Sequence, residues 1–291
     1  MIQVGINIII ATALYALLSL MFQILFKTTK VFHIAHAITL TLGSYITYSI
    51  SIQFKFSLLF ASLISIFCGI GLMLLVKRFI YEPMQKLKVE SWQMLITSIG
   101  VYVVLQNIVS LIWGDTNLSL RTWEVKVGNE FLGAYITDIQ IVTIICCVIL
   151  LIFSWVFIEK TKIGQQIKAV SSNPQLSSYY GISTNRATLY SFALGSSLAA
   201  FAGILIAADT DMTPTMGFNW LLFGIVAMII GGMGKMGHII LGALLLATAQ
   251  HLSAYYIDSK WMNATAYIIL IIFLYFKPYG FSGLKLKKQE V

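Results

Sequence analysis

Charged side chains are scarce in this sequence: Asp, Glu, Lys and Arg make up 10% of its 291 residues, whereas hydrophobic residues make up 58%. Soluble domains carry roughly 25% charged residues, so the chain lacks the charge needed to solvate a globular surface. Several apolar runs approach or exceed the roughly 20 residues that cross a hydrocarbon core. We therefore predict an all-α polytopic membrane protein, because a transmembrane β-barrel would show alternating segments of about 10 residues instead.

Groups that could catalyse a reaction or bind a metal are also few, and they do not cluster. The three cysteines, Cys68, Cys146 and Cys147, lie in apolar runs without metal-site spacing, and we interpret them as small buried hydrophobes. His33 and His36 stand three apart, but the neighbouring sequence supplies no Asp, Glu or Cys to complete a metal site. We predict no enzyme, no metal and no cofactor.

Acidic residues are absent from the middle of every apolar run. Carriers coupled to protons or sodium normally place acids or bases inside their spans, although backbone carbonyls can bind sodium without them. An ATP-binding loop is missing as well. The nearest candidate is GGMGKMG (231–237), with Gly234-Lys235. A Walker A loop would need Gly at position 229 and Ser or Thr after Lys235, but the residues there are Ile229 and Met236. For this stretch we predict a tight turn between two helices.

Nine apolar runs are present, and each is predicted to cross the membrane. The last run is short and reaches only about 22 Å at 1.5 Å per residue, so it is the first to be lost if the number of spans is eight. The nine runs are residues 5–26, 36–54, 57–76, 93–113, 139–158, 189–208, 219–233, 238–257 and 262–276.

The basic residues indicate the orientation of these spans in a cell membrane. With the N-terminus outside, fifteen of the nineteen Lys and Arg residues fall in inner segments, leaving Lys55, Arg121, Lys126 and Lys260 outside. The positive-inside rule favours this arrangement, with a cytoplasmic C-terminus. The net charge of +8 therefore reflects membrane topology. The basic residues form no soluble patch with aromatics, so we predict no binding to nucleic acid.

Two polar loops interrupt the apolar sequence, within what we interpret as one transmembrane domain over residues 1–291. The outer loop, 114–138, contains RTWEVKVGNEF. Its partial alternation predicts a short hairpin with a turn at Gly128–Asn129. The inner loop, 159–188, is longer and basic. Its first part, TKIGQQIKAV (161–170), predicts a short amphipathic continuation of the fifth span.

A second short helix is predicted further along the inner loop. Asn173-Pro174 can begin it, since Pro is tolerated in a first helical turn, and Gly181 is a natural stop. Leu176, Tyr179 and Tyr180 are spaced three and four apart, so one helical face can present all three. On these residues alone, an element that couples to a cytoplasmic partner and a simple interfacial linker are equally good interpretations.

Polar groups within or beside the spans could line a path for a solute. Gln106 and Asn107 lie in the fourth span, where hydrogen bonds between helices are the simpler interpretation and a substrate path is the alternative. Asp209 and Asp211 lie at the outer end of the sixth span. We interpret these two acids as solvated loop residues, with a gate or an electrostatic funnel as the alternative.

Seven stretches of the sequence, taken together, resemble the permease subunits of ABC importers for branched-chain amino acids. The resemblance extends over nearly the whole chain, and the order and spacing of its motifs are more specific than any one of them. The motifs are ALYALLSL (13–20), VFHIAHA (31–37), the inner-loop passage 161–186, FALGSSLAAFAGIL (192–205), PTMGF (214–218), GGMGKMGHIILGALLLA (231–247) and FKPYGFSG (276–283).

The resemblance implies a division of labour. Two permease subunits, usually of different sequence, form the path; an extracytoplasmic binding protein delivers the solute; and two cytoplasmic ATPase subunits drive transport. The inner loop is then the coupling loop. The residues assigned to ATPase coupling are Gly164, Pro174, Gln175, Leu176, Tyr179, Tyr180 and Gly181, and those assigned to the path are Gln106, Asn107 and His36.

Departures from the family pattern mean that the sequence alone does not identify the transported solute. His33 stands where the family usually has Asn, and Ala37 where it has Gly. Relatives within the same family handle urea or short amides, so a permease for such solutes is one alternative to a permease for branched-chain amino acids. A passive channel or secondary carrier for a small neutral solute is the other alternative.

Overall fold

A computed structural model of the protein describes residues 1–121, 128–131, 133–234 and 236–282. Helices dominate the described residues, as expected from the apolar runs. The longer helices are α1 (Ile2–Thr29), α2 (Ala37–Tyr48), α3 (Leu58–Val76), α5 (Ser91–Trp113), α6 (Asp138–Lys160), α9 (Thr184–Asp209), α10 (Met216–Gly231), α11 (Met236–Tyr256) and α12 (Met262–Phe276). The shorter ones are α4 (Glu82–Lys86), α7 (Lys162–Ser172) and α8 (Pro174–Tyr179).

Each of the nine predicted spans coincides with one of these longer helices. Among the described residues, seven helical stretches are long and apolar enough to cross a membrane. The final stretch is one of them, because a 3₁₀ turn before α12 extends it to Ser259–Phe276. The two short spans are instead α10, with 16 residues, and α2, which continues as a π-helical turn over Ser49–Gln53.

The described residues pack as two compact units. One draws on the ranges Met1–Gln23, Val127–Val148 and Leu222–Val291, and the other on Ile24–Lys126 and Ile149–Leu221. We call them the first and the second unit. Because each unit draws on separate stretches of sequence, no single boundary along the chain divides them. The prediction of one domain over residues 1–291 stays a prediction.

In the second unit the core lies where α2, α3 and α9 pack together. The crossing of α2 and α9 is close: the Ser44 hydroxyl donates to the Gly203 carbonyl at 2.8 Å, and a Cβ at Gly203 would overlap the Leu40 backbone. Of the most apolar stretch of α9, 78% is buried, against 17% for α5 and for α6. Helix α9 is therefore central, whereas α5 and α6 present broad apolar faces outward.

The cysteines follow this division between central and peripheral faces. Cys147 is buried, as predicted, and Cys146 is half-buried. The prediction of burial is wrong for Cys68, which is exposed. It lies on the face of α3 that points away from the three-helix core, and hydrophobicity alone does not tell a lipid-facing position from a core position in a membrane helix.

Helix ends in the second unit meet in two groups. At one end, the Trp113 indole donates to the Ser49 hydroxyl at 2.7 Å, and Leu118 forms an antiparallel bridge with Met212. At the other end, three contacts join the turn before α2 to α5, the end of α1 to α7, and the end of α3 to α9. The Ala35 amide donates to Ser98 Oγ, the Lys30 ammonium to the Ser171 carbonyl, and the Lys77 ammonium to Asn185 Oδ1.

The first unit contains the larger part of α10, all of α11 and α12, and the predicted Gly-rich turn. The turn is present: α10 ends at Gly231, and α11 begins at Met236. The chain after α12 returns to this turn, where the Phe281 and Ser282 amides donate to the Ile230 and Gly231 carbonyls at 2.9 and 3.1 Å. The glycines thus allow close backbone packing at this turn.

A hairpin is present in the outer loop, but its turn differs from the prediction. Strands β1 (Asn129–Phe131) and β2 (Ala134–Ile136) pair antiparallel. Because β1 already begins at Asn129, the prediction of a turn at Gly128–Asn129 is wrong. The Gln3 side chain pairs with the Tyr135 backbone, donating to its carbonyl and accepting from its amide. Most of the RTWEVKV stretch (122–127) lies outside the described residues.

Candidate functional site

The inner loop folds as two helices joined at an angle, and we call residues 161–183 the elbow. The prediction that its first helix continues α6 is wrong, because Thr161 interrupts the helix. The Thr161 hydroxyl donates to the Phe157 carbonyl at 2.6 Å and accepts from the Gly164 amide at 3.0 Å, which caps α7 as a separate helix. A Cβ at Gly164 would overlap the carbonyls of Phe157 and Ile158, so this joint requires glycine.

Helix α7 buries its apolar face within its own chain, against α9. Ile167 is 3% exposed and Val170 is fully buried, while Ile163, the third member of the predicted face, is half-buried. On the opposite face, Lys168 pairs with Glu159 at 2.7 Å. Both partners of that ion pair are largely exposed, so it contributes little to stability.

The junction between α7 and α8 is tightly specified. Lys30 donates to the Ser171 carbonyl at 2.8 Å, which places a cation at the negative end of α7. Asn173 then caps α8, with its Oδ1 accepting from the Leu176 amide at 2.9 Å. Pro174 occupies the first turn of α8, where its missing N–H costs no hydrogen bond.

The end of α8 is equally well specified and confirms Gly181 as its stop. The Ile182 amide donates to the Ser177 carbonyl and the Gly181 amide to the Ser178 carbonyl, each at 3.0 Å. This pair of bonds is a Schellman motif, which needs a left-handed residue. Gly181 has φ +76° and supplies that conformation. Helix α8 ends at Tyr179, so Tyr180 forms the cap of the helix rather than its last turn.

The surface of α8 is strongly apolar on the side that faces away from the chain. Tyr179 is 87% exposed, Tyr180 78% and Leu176 52%, and Gln175 beside them is exposed as well. Only Ser177 is buried, with its hydroxyl bonded to the Asn173 carbonyl at 2.8 Å. The structure therefore places all the predicted coupling residues in one capped elbow, and the large ones project from it.

The predicted path residues occupy two different environments in the second unit. Asn107 is exposed and Gln106 half-buried on α5. Their side chains bond within the helix, to the Val103 carbonyl at 2.7 Å and to Ser110 Oγ at 3.2 Å, rather than to another helix as the simpler interpretation expected. Both amides thus lie on an open, otherwise apolar face of α5.

His36 lies in the packed interior instead. It is fully buried, its Nε2 lies 3.2 Å from Ser196 Oγ, and its ring meets Phe192 edge-on at 5.3 Å. His33 packs beside it against Phe192 and Tyr81, and burial lowers the pKa of His33 to about 3, so its imidazole is neutral. The structure does not bring His36 onto one surface with Gln106 and Asn107.

The two outer acids differ, and only Asp211 is a fully exposed loop residue, as the simpler interpretation predicted. Asp209 ends α9 and is half-buried, and Asp211 is exposed. The Asp211 carboxylate pairs with Arg121 at 2.9 Å. Sequence reasoning missed this partner, because the two residues lie 90 positions apart and only the fold brings them together.

A second missed feature is a buried ion pair beside the elbow. Lys77, 3% exposed, pairs with Glu82 and also donates to Asn185 Oδ1 near the start of α9. Arg78 completes the neutralisation of Glu82 at 2.8 Å. The signal in the sequence was weak, since a Lys-Arg pair that follows an apolar run is ordinarily interpreted as a solvated flank.

Together, the apolar helices and the elbow define a multi-pass membrane protein in which the short helix α8 exposes large apolar side chains. Comparison with known proteins identifies the family to which it belongs. The family described as "Branched-chain amino acid transport system / permease component" matches residues 5–276. The chain belongs to this family and is a transport component.

Three relatives are similar over most of their length. The high-affinity branched-chain amino acid transport system permease proteins LivH of Salmonella typhimurium and Escherichia coli are 26% and 25% identical over 283 residues, covering 92% of this chain and 91% of each relative. BraD of Pseudomonas aeruginosa, named in the same way, is 24% identical over 286 residues with the same coverage. The family resemblance predicted from the motifs is confirmed.

Proposed function

We propose that this chain is the permease subunit of a binding-protein-dependent ABC importer. It moves branched-chain or other hydrophobic amino acids into the cytoplasm, driven by separate ATPase subunits. The family match over residues 5–276 carries this proposal. The names of the relatives favour branched-chain amino acids over urea or short amides as the solute.

The coupling of this permease to ATP hydrolysis is assigned to α8. Leu176 and Tyr179 on this six-residue helix, and Tyr180 at its C-terminal cap, are large, apolar and exposed. Aromatic side chains of this kind often dominate an interface, and a short amphipathic helix fits a hydrophobic groove on a partner. Gln175 lies on the same exposed surface, while Gly164 and Gly181 set the angles at which α8 is presented.

The elbow is assigned to the cytoplasmic side, with the N-terminus outside. Within the second unit, Lys30 contacts the elbow, and Lys77, with Arg78 beside it, contacts Asn185 just after the elbow. A concentration of cations at one end is the pattern that the positive-inside rule describes. In a variant without native cysteines, a cysteine at Lys162 should resist an impermeant thiol reagent added outside intact cells, while one at Asn129 should react. The opposite labelling pattern would contradict this orientation.

The open face of α5 is assigned to the second permease subunit and the path that the two subunits form. Asn107 and Gln106 place two amides on that face, in otherwise apolar surroundings. An amide in contact with lipid alone would leave hydrogen-bonding groups unsatisfied, whereas a partner helix or a hydrated path would satisfy them. His36 stays a prediction for the path, since it is buried in the structure described here.

No ATPase site is assigned to this chain. The GGMGKMG stretch departs from the Walker A pattern at two positions, and the described glycines of its turn lie against the chain that follows α12. Purified alone, the protein should not hydrolyse ATP. Clear hydrolysis by the pure chain would contradict the division of labour between permease and ATPase.

Reconstitution of the importer tests the proposal directly. The tagged permease is purified from native membranes, the subunits that purify with it are identified, and the complex is placed in liposomes with its binding protein outside and ATP inside. We expect uptake of labelled leucine that requires ATP and competes with isoleucine and valine. Uptake of leucine without ATP would favour a passive channel or secondary carrier, and uptake of urea in its place would favour the amide-transporting alternative.

A further inference from the structure

Two lysines flank the docking helix, one on each side of it along the chain. Lys30 contacts Ser171, three residues before Pro174, and Lys77 contacts Asn185, four residues after Gly181. Each lysine comes from the inner end of a different transmembrane helix, Lys30 from the end of α1 and Lys77 from the end of α3. The segment that carries α8 is thus tied at both ends to other helices.

The Lys77 contact is not explained by stability alone. The Lys77 side chain is 3% exposed and that of Glu82 is 11% exposed. The free energy needed to remove both charges from water offsets much of their attraction. A well-packed apolar pair is often as stable as a buried ion pair. What an apolar side chain could not supply is the hydrogen bond across to Asn185 Oδ1. That bond joins the end of α3 to the first turn of α9.

The Lys30 contact depends on an unusual backbone conformation. Lys30 has φ +57°, a left-handed conformation that is disfavoured for a residue with a Cβ. In this conformation its ammonium reaches the Ser171 carbonyl at 2.8 Å, one of the groups that the end of α7 leaves without an intrahelical partner. The backbone and the side chain together hold the end of α1 against the elbow.

We propose that Lys30 and Lys77 are positioning residues for energy coupling, through which a displacement of α8 is passed to α1 and α3. This inference rests on the proposed function, since it assumes that α8 docks on an ATPase subunit. Within the chain, α8 itself buries only Ser177 among the residues of its helix. Movement of the docked helix therefore reaches the membrane helices through the segments on either side, where the two lysines bind.

The sharpest test removes the acceptor and leaves the ion pair intact. Asn185 is exposed, so Asn185→Ala disturbs little packing, keeps the contact between Lys77 and Glu82, and deletes only the bond to α9. Asn185→Asp restores an oxygen acceptor at the same position. For the other contact, Lys30→Met is compared with Lys162→Met, which changes an exposed lysine on α7.

The measurement is the number of leucine molecules taken up per ATP hydrolysed by the complete importer in liposomes. We expect Asn185→Ala and Lys30→Met to lower this ratio about fivefold or more, the smaller end of known coupling effects between sites. ATPase co-purification should be unchanged, and Asn185→Asp and Lys162→Met should match the wild type. Because the ratio is taken per ATP hydrolysed, a lower yield of folded complex does not change it.

The outcomes separate this inference from the proposed function. An unchanged ratio in Asn185→Ala and Lys30→Met would overturn it, and so would a drop in Asn185→Asp equal to that in Asn185→Ala. In both cases an ATPase that still purifies with the wild type leaves the proposed function standing. If no ATPase purifies with the wild-type chain, the proposed function fails first, and this inference fails with it.

Discussion

Helices α7 and α8 are neighbours in one polar loop, yet α7 buries its apolar residues and α8 exposes them. Helix α7 turns Ile167 and Val170 into its own chain, where they are 3% and 0% exposed. Helix α8 turns Tyr179 and Tyr180 outward, where they are 87% and 78% exposed. The first helix is part of the fold of the subunit, whereas the second is held by caps and presents its apolar side chains to something else.

The difference explains how a six-residue helix can serve as a docking element. Isolated helices this short are unstable in water, so α8 depends on Asn173, Pro174 and the Schellman motif at Gly181 for its shape. Because these devices define the helix without using its large side chains, Leu176 and the two tyrosines remain available for a partner. Substitutions in the two helices test this division, and those on the exposed face of α8 should have the largest effect.

Replacing Leu176 and Tyr179 together by Ser should abolish ATP-driven uptake. Each anchor is expected to contribute about 2 kcal/mol or more to the interface, so losing both should release the ATPase on purification. The permease should stay folded and inserted, because Leu176 and Tyr179 are 52% and 87% exposed. Replacing Lys162 and Gln165, two exposed residues of α7, by Ser is the matched control and should leave the complex intact.

Replacing Ile167 by Ala should destabilise the permease itself, by about 2–5 kcal/mol, as for other buried aliphatic side chains. Tyr179→Ala should change its stability by no more than about 0.5 kcal/mol, the usual range for an exposed site. Thermal unfolding of the purified permease without the ATPase measures both effects. If Tyr179→Ala proved the more destabilising, α8 would belong to the core and not to an interface.

Replacing Gly181 by Val should weaken ATPase binding while leaving α7 unaffected. A β-branched residue in the left-handed region costs roughly 1–2 kcal/mol, which the chain can relieve by tilting α8. Asn tolerates this conformation better, so Gly181→Asn should bind the ATPase more tightly than Gly181→Val. Affinity measured with the purified ATPase decides the point, and equal affinity for the two variants would argue against a role for the angle of α8.

Replacing Asp209 and Asp211 by Asn should have the smallest effect, with uptake staying within a few-fold of the wild type. Asp211 is exposed and its pair with Arg121 lies at the surface, where an ion pair contributes about 0–1 kcal/mol. Uptake by cells with normal amounts of the subunit in the membrane is the measurement. Near-total loss of uptake would favour the alternative interpretation, in which these two acids form a gate for the solute.

Much of this structure could be predicted from the sequence, because local signals specify it. The nine apolar runs coincide with nine helices, and Asn173, Pro174 and Gly181 correctly predicted α8 because caps act within a few residues. Sequence reasoning did less well where distant residues decide. The bond from Lys77 to Asn185 joins residues 108 positions apart. The break at Thr161, by contrast, is a local cap made with Phe157 and Gly164, and sequence reasoning overlooked it. The outward direction of Cys68 depends on which neighbours α3 meets.

Cross-linking at α8 tests the central claim most directly. In an importer without native cysteines, Tyr180→Cys on α8 is compared with Gln165→Cys on the exposed face of α7, using a short thiol-to-amine reagent on the intact complex. We predict that Tyr180→Cys gives the stronger cross-link to the ATPase subunit and that Leu176→Ser in the same chain removes it. A complex that takes up leucine but forms no cross-link from Tyr180→Cys would contradict the assignment of α8 as the docking helix.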